Sequence, residues 1–106
     1  MSNGSPSSLR IAITFKNTDS TEPLKSYASE KLHHCVQKFV HRDAEIHVVL
    51  SVEKLRQIAE ASFHAFGVDF FAKEESSDLY ASIDALCDSL TQQLRKQKEK
   101  TKNHHS

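Results

Sequence analysis

An apolar stripe near the end of the chain constrains the fold most, because it stops abruptly and is followed by positive charge. Its members recur at spacings of three and four, which is the spacing of one face of an α-helix. They are Leu79, Ile83, Leu86, Cys87, Leu90 and Leu94. We therefore predict a long helix over 78–100 whose first part lies on a core and whose last turns extend beyond it.

The charge that follows the stripe is concentrated in the last fifteen residues. Five lysines and arginines stand there against one glutamate, a formal charge of +4, whereas the whole chain is neutral, so residues 1–91 carry −4. Such asymmetry in a small domain indicates a polyanionic partner, with nucleic acid first. The same cations are also typical of a solvated helix end, because positive charge there interacts favourably with the helix dipole.

Alternating and helical patterns define the remaining elements. Thr21 is the predicted N-cap of a first helix, Gly67 permits a chain reversal, and Ser76 and Ser77 supply cap oxygens for the last helix. The predicted order is a strand over 9–16, a helix over 22–39, strands over 46–52, 59–65 and 68–72, and the basic helix over 78–100.

Four half-buried strands have one face to cover, and two amphipathic helices are available to cover it. The predicted fold class is therefore α+β, a two-layer β-α-β-β-β-α sandwich in which a four-stranded mixed sheet has both helices on one face. A chain of 106 residues has room for one such domain, which we place at 9–102. Residues 1–8 are expected to be a disordered leader and residues 103–106 a disordered tail.

Composition argues against several classes of function. Gly4 and Gly67 are the two glycines of the chain, which excludes glycine-rich phosphate loops and argues against a nucleotide-dependent enzyme. The N-terminal segment has no apolar run, so we expect neither a signal peptide nor membrane contact. The expected location is the cytoplasm. Cys35 and Cys87 fall on apolar helix faces, which favours buried free thiols in a reducing compartment over a disulfide.

Seven histidines raise the question of a metal site. A hairpin centred on Leu55 and Arg56 would place His47 opposite His64, which is half of such a site. No carboxylate or cysteine converges on that pair, so we expect no metal. The other histidines are expected to be solvated and to add positive charge below neutral pH.

Several sequence segments resemble one family. Residues 78–86, followed by 93–96 and 98–100, closely resemble the basic helix of the ribosome hibernation promoting factors, the ribosome-associated inhibitors also called sigma-54 modulation proteins. Residues 48–54, 59–61 and 71–76 resemble the family strands. The resemblance extends over about 9–102 and implies a fold similar to double-stranded RNA-binding domains, with no catalysis, cofactor or small-molecule substrate.

The resemblance also implies a partner and a mode of action. Family members bind the small ribosomal subunit and its ribosomal RNA, across the channel for messenger and transfer RNA, and so inhibit translation. Few residues follow the basic helix here, so the chain resembles the short form of the family. Resemblance to the short form implies that the protein, acting with a separate ribosome modulation factor, stabilises paired, inactive ribosomes.

The candidate RNA-binding residues are cations on the two helices and one tyrosine. Lysine and arginine would displace counterions from RNA phosphates, so binding should weaken in salt. Tyr80 is explained equally well as a half-buried helix residue. The candidates are Lys25, Lys31, Lys38, Tyr80, Arg95, Lys96, Lys98, Lys100 and Lys102.

Two other functions fit the same sequence. The chain could be a generic double-stranded RNA-binding module, or a protein-interaction regulator of a transcription factor, as the family's older name suggests. No exposed apolar seam is evident in the sequence, so we expect a monomer when the protein is free.

Overall fold

The computed structural model describes residues 8–104, and the side chains of residues 8–99. Residues 1–7 of the predicted leader and 105–106 of the predicted tail lie outside the described residues. The elements are β1 (Leu9–Lys16), α1 (Glu22–Gln37), β2 (Ala44–Glu53), β3 (Arg56–Ala65), β4 (Val68–Ser76) and α2 (Leu79–His104). This order confirms the predicted fold class, and α2 extends past the predicted end at residue 100.

The sheet has the order β1-β2-β3-β4. β1 pairs with β2 in parallel, and the two later pairs are antiparallel, as predicted. Alternate strand residues meet the two helices in one apolar core, where Ile46 and Leu50 are fully buried. All six members of the α2 stripe are buried, and the last of them, Leu94, has no exposed surface. The stripe therefore holds α2 on the sheet as the sequence indicates.

The two helices run side by side in the same direction. The ring of Tyr27 meets that of Tyr80 in the first half of α1 and the first turn of α2, and Cys35 interacts with Cys87 further along both helices. Contacts thus advance together along α1 and α2. Because β1 and β2 are parallel and α2 returns along β4, both helix C-termini lie at the end of the sheet where β2 and β4 begin.

The sequence predicts the N-cap residue of α1 correctly but not that of α2. Thr21 caps α1 as expected, since its Oγ1 accepts a hydrogen bond from the Leu24 amide at 3.3 Å. For α2 the prediction is wrong for Ser77, and the Oγ of Ser76 accepts from the amide of Asp78 at 3.2 Å, ahead of the helix, and from none of the first helical amides. Asp78 is the cap, because its Oδ1 accepts from the amide of Ala81 at 3.1 Å.

The turn of the β2–β3 hairpin lies one residue earlier than predicted, which shifts the strand register by two residues. Glu53 pairs with Arg56 across a two-residue turn, in which Lys54 has a φ of 58°. His47 therefore faces Ser62, and its predicted pairing with His64 is wrong. No group of three or more metal-binding side chains occurs in the part of the chain that is described. Within residues 8–104, neither helix is long and apolar enough to cross a membrane.

Candidate nucleic-acid interface

The C-terminal part of α2 presents positive charge to solvent. Arg95, Lys96 and Lys98 are exposed, and none of them has a hydrogen bond or ion pair within the described residues. They follow directly on Leu94, the last buried residue among those whose side chains are described, so the helix surface after it is free to carry cations. Glu99 lines the same recess as Arg95 and Lys96. Lys100 and Lys102 continue α2, but their side chains lie outside the described residues.

The end of α1 adds positive charge to the same end of the molecule. Lys38 is the C-cap of α1 and is exposed, and the exposed His41 and Arg42 follow it before β2 begins. Because the helices are parallel, these side chains and the basic part of α2 lie at one end of the sheet. Sequence analysis missed Arg42. The available signal was a stretch of ten residues, 33–42, that holds three histidines, a lysine and an arginine and no acid.

Lys31 differs from the other candidates because it has a carboxylate partner. Its Nζ lies 3.3 Å from Oδ1 of Asp84 on α2 and 5.8 Å from the centre of the Tyr27 ring. The hydrogen bond to Asp84 raises the pKa of the Lys31 ammonium above its usual value. Its charge is therefore already compensated in the seam between the helices, which weakens its case as an RNA contact.

Lys25 and Tyr80 lie away from the basic end of α2. Lys25 is in the first turns of α1 and lines a recess with Ile11 and Ile13 of the edge strand β1. Tyr80 lies in the first turn of α2 and is 42% exposed, with its ring centre 4.9 Å from that of Tyr27 and the ring planes at 69°. The structure thus brings together Lys38 and the basic part of α2, but not Lys25, Lys31 or Tyr80.

The two cysteines form a thiol pair in the helix seam. Both are free, and Cys87 is buried, but Cys35 is only partly buried, so the expectation that both are buried is wrong for Cys35. A hydrogen bond from the Cys87 thiol lowers the pKa of Cys35, and the same interaction together with burial raises the pKa of Cys87.

A model of one protein family matches nearly all of the chain described above. The model, for sigma 54 modulation protein / S30EA ribosomal protein, matches residues 11–102. The chain belongs to this family. The match spans every strand and both helices, so family membership rests on the whole domain and not on the basic helix alone.

Similar members of the sigma 54 modulation family carry informative names. The chain is 36% identical to a ribosome hibernation promoting factor of Klebsiella oxytoca over 96 residues, which are 91% of this chain and 100% of that protein. The protein of the same name from Escherichia coli (strain K12) is 38% identical with the same coverage. These relatives confirm the resemblance that the sequence segments indicate.

Solved structures with a similar fold come from two further bacteria. A ribosomal subunit interface protein from Coxiella burnetii superposes with a TM-score of 0.76 at 28% identity, covering 85% of this chain and 98% of that one. The N-terminal domain of Protein Y from Thermus thermophilus gives a TM-score of 0.74 at 26% identity, covering 82% and 97%. The sandwich described here is therefore also the fold of these two proteins.

Proposed function

We propose that this protein binds the small ribosomal subunit through ribosomal RNA and inhibits translation by occupying the channel for messenger and transfer RNA. The observation that carries the proposal is the set of exposed cations at Arg95, Lys96 and Lys98, which have no partner among the described residues and lie at the same end of the sheet as Lys38. Relatives named ribosome hibernation promoting factor, and a structural neighbour named as a ribosomal subunit interface protein, support a ribosomal partner.

The chemistry of binding follows from phosphate recognition. Each cation that meets an RNA phosphate releases counterions, which favours binding at low salt. Arg95 can bind a phosphate through two parallel N–H bonds, whereas Lys96 and Lys98 act as mobile point charges. Structured RNA is recognised mainly by shape, so little base specificity is expected from these residues. Lys100 and Lys102 extend the same contact, and Lys25, Lys31 and Tyr80 are secondary candidates.

The proposal extends to the consequences of occupancy. The bound protein would stabilise inactive ribosome dimers, acting in the cytoplasm and with a separate ribosome modulation factor as a companion. It would act without catalysis, metal or cofactor, because blocking the channel requires only binding. The free protein would be a monomer, so each subunit would take up one copy.

Co-sedimentation with purified small subunits at 50 and 200 mM salt tests the proposal. The variant Arg95→Gln, Lys96→Gln, Lys98→Gln removes three charges from the basic end of α2. The matched control Arg10→Gln, Lys16→Gln, Lys73→Gln removes three exposed charges from the sheet face that the helices leave uncovered. Both variants have the same net charge, so non-specific attraction to RNA is equal in the two.

Wild-type protein should pellet with the subunits, and with about five phosphate contacts its affinity should fall roughly a hundredfold between the two salt concentrations. The α2 variant should bind more weakly with a shallower salt dependence, and the control should match wild type. Equal affinities for the two variants would contradict the proposal. A plain RNA duplex that competes as well as subunits would favour the generic RNA-binding module. A protein partner that survives high salt and nuclease would favour the transcription regulator.

A further inference from the structure

A recess lies at the same end of the sheet as the basic part of α2. It has a volume of about 430 Å³ and is formed by two connections, one between α1 and β2 and the other between β3 and β4. The first contributes His41 and Arg42, the second contributes Phe66 and Gly67, and His64 comes from the end of β3. A volume of this size lies within the range of sites for small organic ligands.

Phe66 lines the recess with a backbone conformation that phenylalanine disfavours. Phe66 and Gly67 form a two-residue turn with φ values of 57° and 71°, the arrangement that favours asparagine followed by glycine. A bulky residue with positive φ is uncommon and costs conformational energy. The Phe66 ring is nonetheless 46% exposed, and its edge contact with Phe70, at 6.5 Å between ring centres, leaves part of its surface open.

Arg42 is the free cation of this recess. It is exposed and has no hydrogen bond or ion pair within the described residues. The two nearby carboxylates are already engaged. Asp43 accepts a hydrogen bond from the amide of Ser8 at 2.8 Å, and Asp69 lies 2.7 Å from Nδ1 of His64. The guanidinium of Arg42 is therefore available to an anion from outside the protein.

The recess adjoins the basic surface of α2. Val68 and Asp69 follow the Phe66 turn directly, and they line a second recess together with Lys96. A polyanion bound along Lys96 thus passes beside Phe66 and Arg42. An exposed aromatic ring next to a free arginine is the usual means of binding an unstacked base and its phosphate in single-stranded RNA.

We propose that this recess binds one unstacked nucleotide of ribosomal RNA, with the base on the Phe66 ring and the phosphate on Arg42. The inference rests on the proposed function and adds to it a contact that distinguishes single-stranded RNA from paired RNA. Phosphate contacts along α2 then position the protein, and the nucleotide in the recess selects an RNA site with an unpaired base.

Binding to small subunits tests this with three variants and a control. Phe66→Asn places the residue that the turn prefers, so the melting temperature should not fall. Phe66→Trp keeps a stacking surface. Arg42→Gln removes the anion contact without touching the core. The control Leu55→Asn also replaces an exposed apolar side chain by asparagine, at a hairpin tip at the opposite end of the sheet, where Leu55 is 90% exposed.

Phe66→Asn should weaken binding about tenfold, the order of loss expected for one base–aromatic stack. Its salt dependence should match wild type, because stacking releases no counterions. Phe66→Trp should retain wild-type affinity, and Arg42→Gln should reduce the salt dependence by about one phosphate contact. Leu55→Asn should bind as wild type.

The outcomes separate the two proposals. If the triple α2 variant loses binding but Phe66→Asn does not, the recess proposal fails and the proposed function stands. If wild-type protein does not bind subunits at all, the proposed function fails, and the recess proposal with it. Photo-crosslinking from a photoreactive phenylalanine analogue at position 66 identifies the neighbour. A crosslink to RNA supports the nucleotide, whereas a crosslink confined to ribosomal protein overturns it.

Discussion

Tyr27 donates a hydrogen bond of 2.6 Å from its hydroxyl to Oδ1 of Asp84 and so joins α1 to α2. The same carboxylate oxygen lies 3.3 Å from Nζ of Lys31. Asp84 therefore contacts two side chains of α1, and these two residues are one helical turn apart. This arrangement fixes the parallel alignment of the helices, on which the common position of their C-termini depends.

Replacing Asp84 should make stability less dependent on pH. The hydrogen bond from Tyr27 and the pairing with Lys31 hold the pKa of Asp84 below its ordinary value of 3.8. Stability from this carboxylate is therefore present above pH 3.8 and is lost as the pH falls through the lower pKa of the folded state. Asp84→Asn should lower the melting temperature at neutral pH, and the difference from wild type should shrink towards pH 3.

Asp88→Asn is the matched control for that measurement. Asp88 is exposed on α2, one turn after Asp84, and has no hydrogen bond or ion pair within the described residues. Thermal melts followed by circular dichroism between pH 3 and 7 compare the three proteins. A constant difference between wild type and Asp84→Asn over that range would contradict the role of the carboxylate.

A buried hydroxyl at the start of α2 gives a second prediction. Ser82 is fully buried, and its Oγ donates to the carbonyl oxygen of Gln57 on β3 at 2.6 Å. Ser82→Ala removes the donor and leaves that carbonyl without this hydrogen bond, which should reduce the free energy of unfolding by about 1–3 kcal/mol. Ser77→Ala should cost little, because Ser77 is exposed and has no hydrogen bond in the described structure. Urea denaturation of both variants checks the difference, and similar losses would contradict it.

Most of the fold could be predicted from the periodicity of apolar residues in the sequence. A stripe that stops at Leu94 predicts both the burial of α2 and the freedom of the cations after it, because burial requires an apolar side chain at each contact with the sheet. Alternation in the strands likewise predicts which face is covered. These features are local, so they can be read without knowing how the elements pack.

Features that depend on packing could not be predicted in the same way. Three potential caps stand in a row before α2, and only the folded backbone selects Asp78. The hairpin register depends on Lys54 adopting a positive φ, which lysine does not favour. For the candidate site, the pairing of Lys31 with Asp84 and the approach of Arg42 to Phe66 join residues far apart in sequence.

The thiol pair gives a third prediction, on chemical reactivity. The hydrogen bond from Cys87 lowers the pKa of Cys35 below its ordinary value of 9.0, and Cys35 is also the more exposed thiol. Because the thiolate is the reactive form, iodoacetamide near pH 8 should modify Cys35 well before Cys87. Mass spectrometry of the partly modified protein identifies the site, and preferential modification of Cys87 would contradict the assignment.

Variants of Cys87 test the cause of that reactivity. Cys87→Ala removes the hydrogen-bond donor, so the pKa of Cys35 should rise and its modification at a given pH should slow. Cys87→Ser keeps a donor at the same position and should stay closer to wild type. The rate of Cys35 modification from pH 7 to 10 measures the shift. Identical profiles for the alanine and serine variants would show that the hydrogen bond is not the cause.

Binding to small subunits should require the helical conformation of the basic end of α2 and not only its charges. Lys98 lies four residues beyond the buried Leu94, so both Lys98→Ala and Lys98→Gly should leave the packing of the core unchanged. Both variants remove the same charge, but glycine disfavours the helix by about 1 kcal/mol relative to alanine. Fraying there would separate Lys100 and Lys102 from the positions set by Arg95 and Lys96. Lys98→Gly should therefore bind small subunits severalfold more weakly than Lys98→Ala in co-sedimentation at 50 mM salt. Equal affinities would mean that charge alone, without helical order, accounts for this part of the interface.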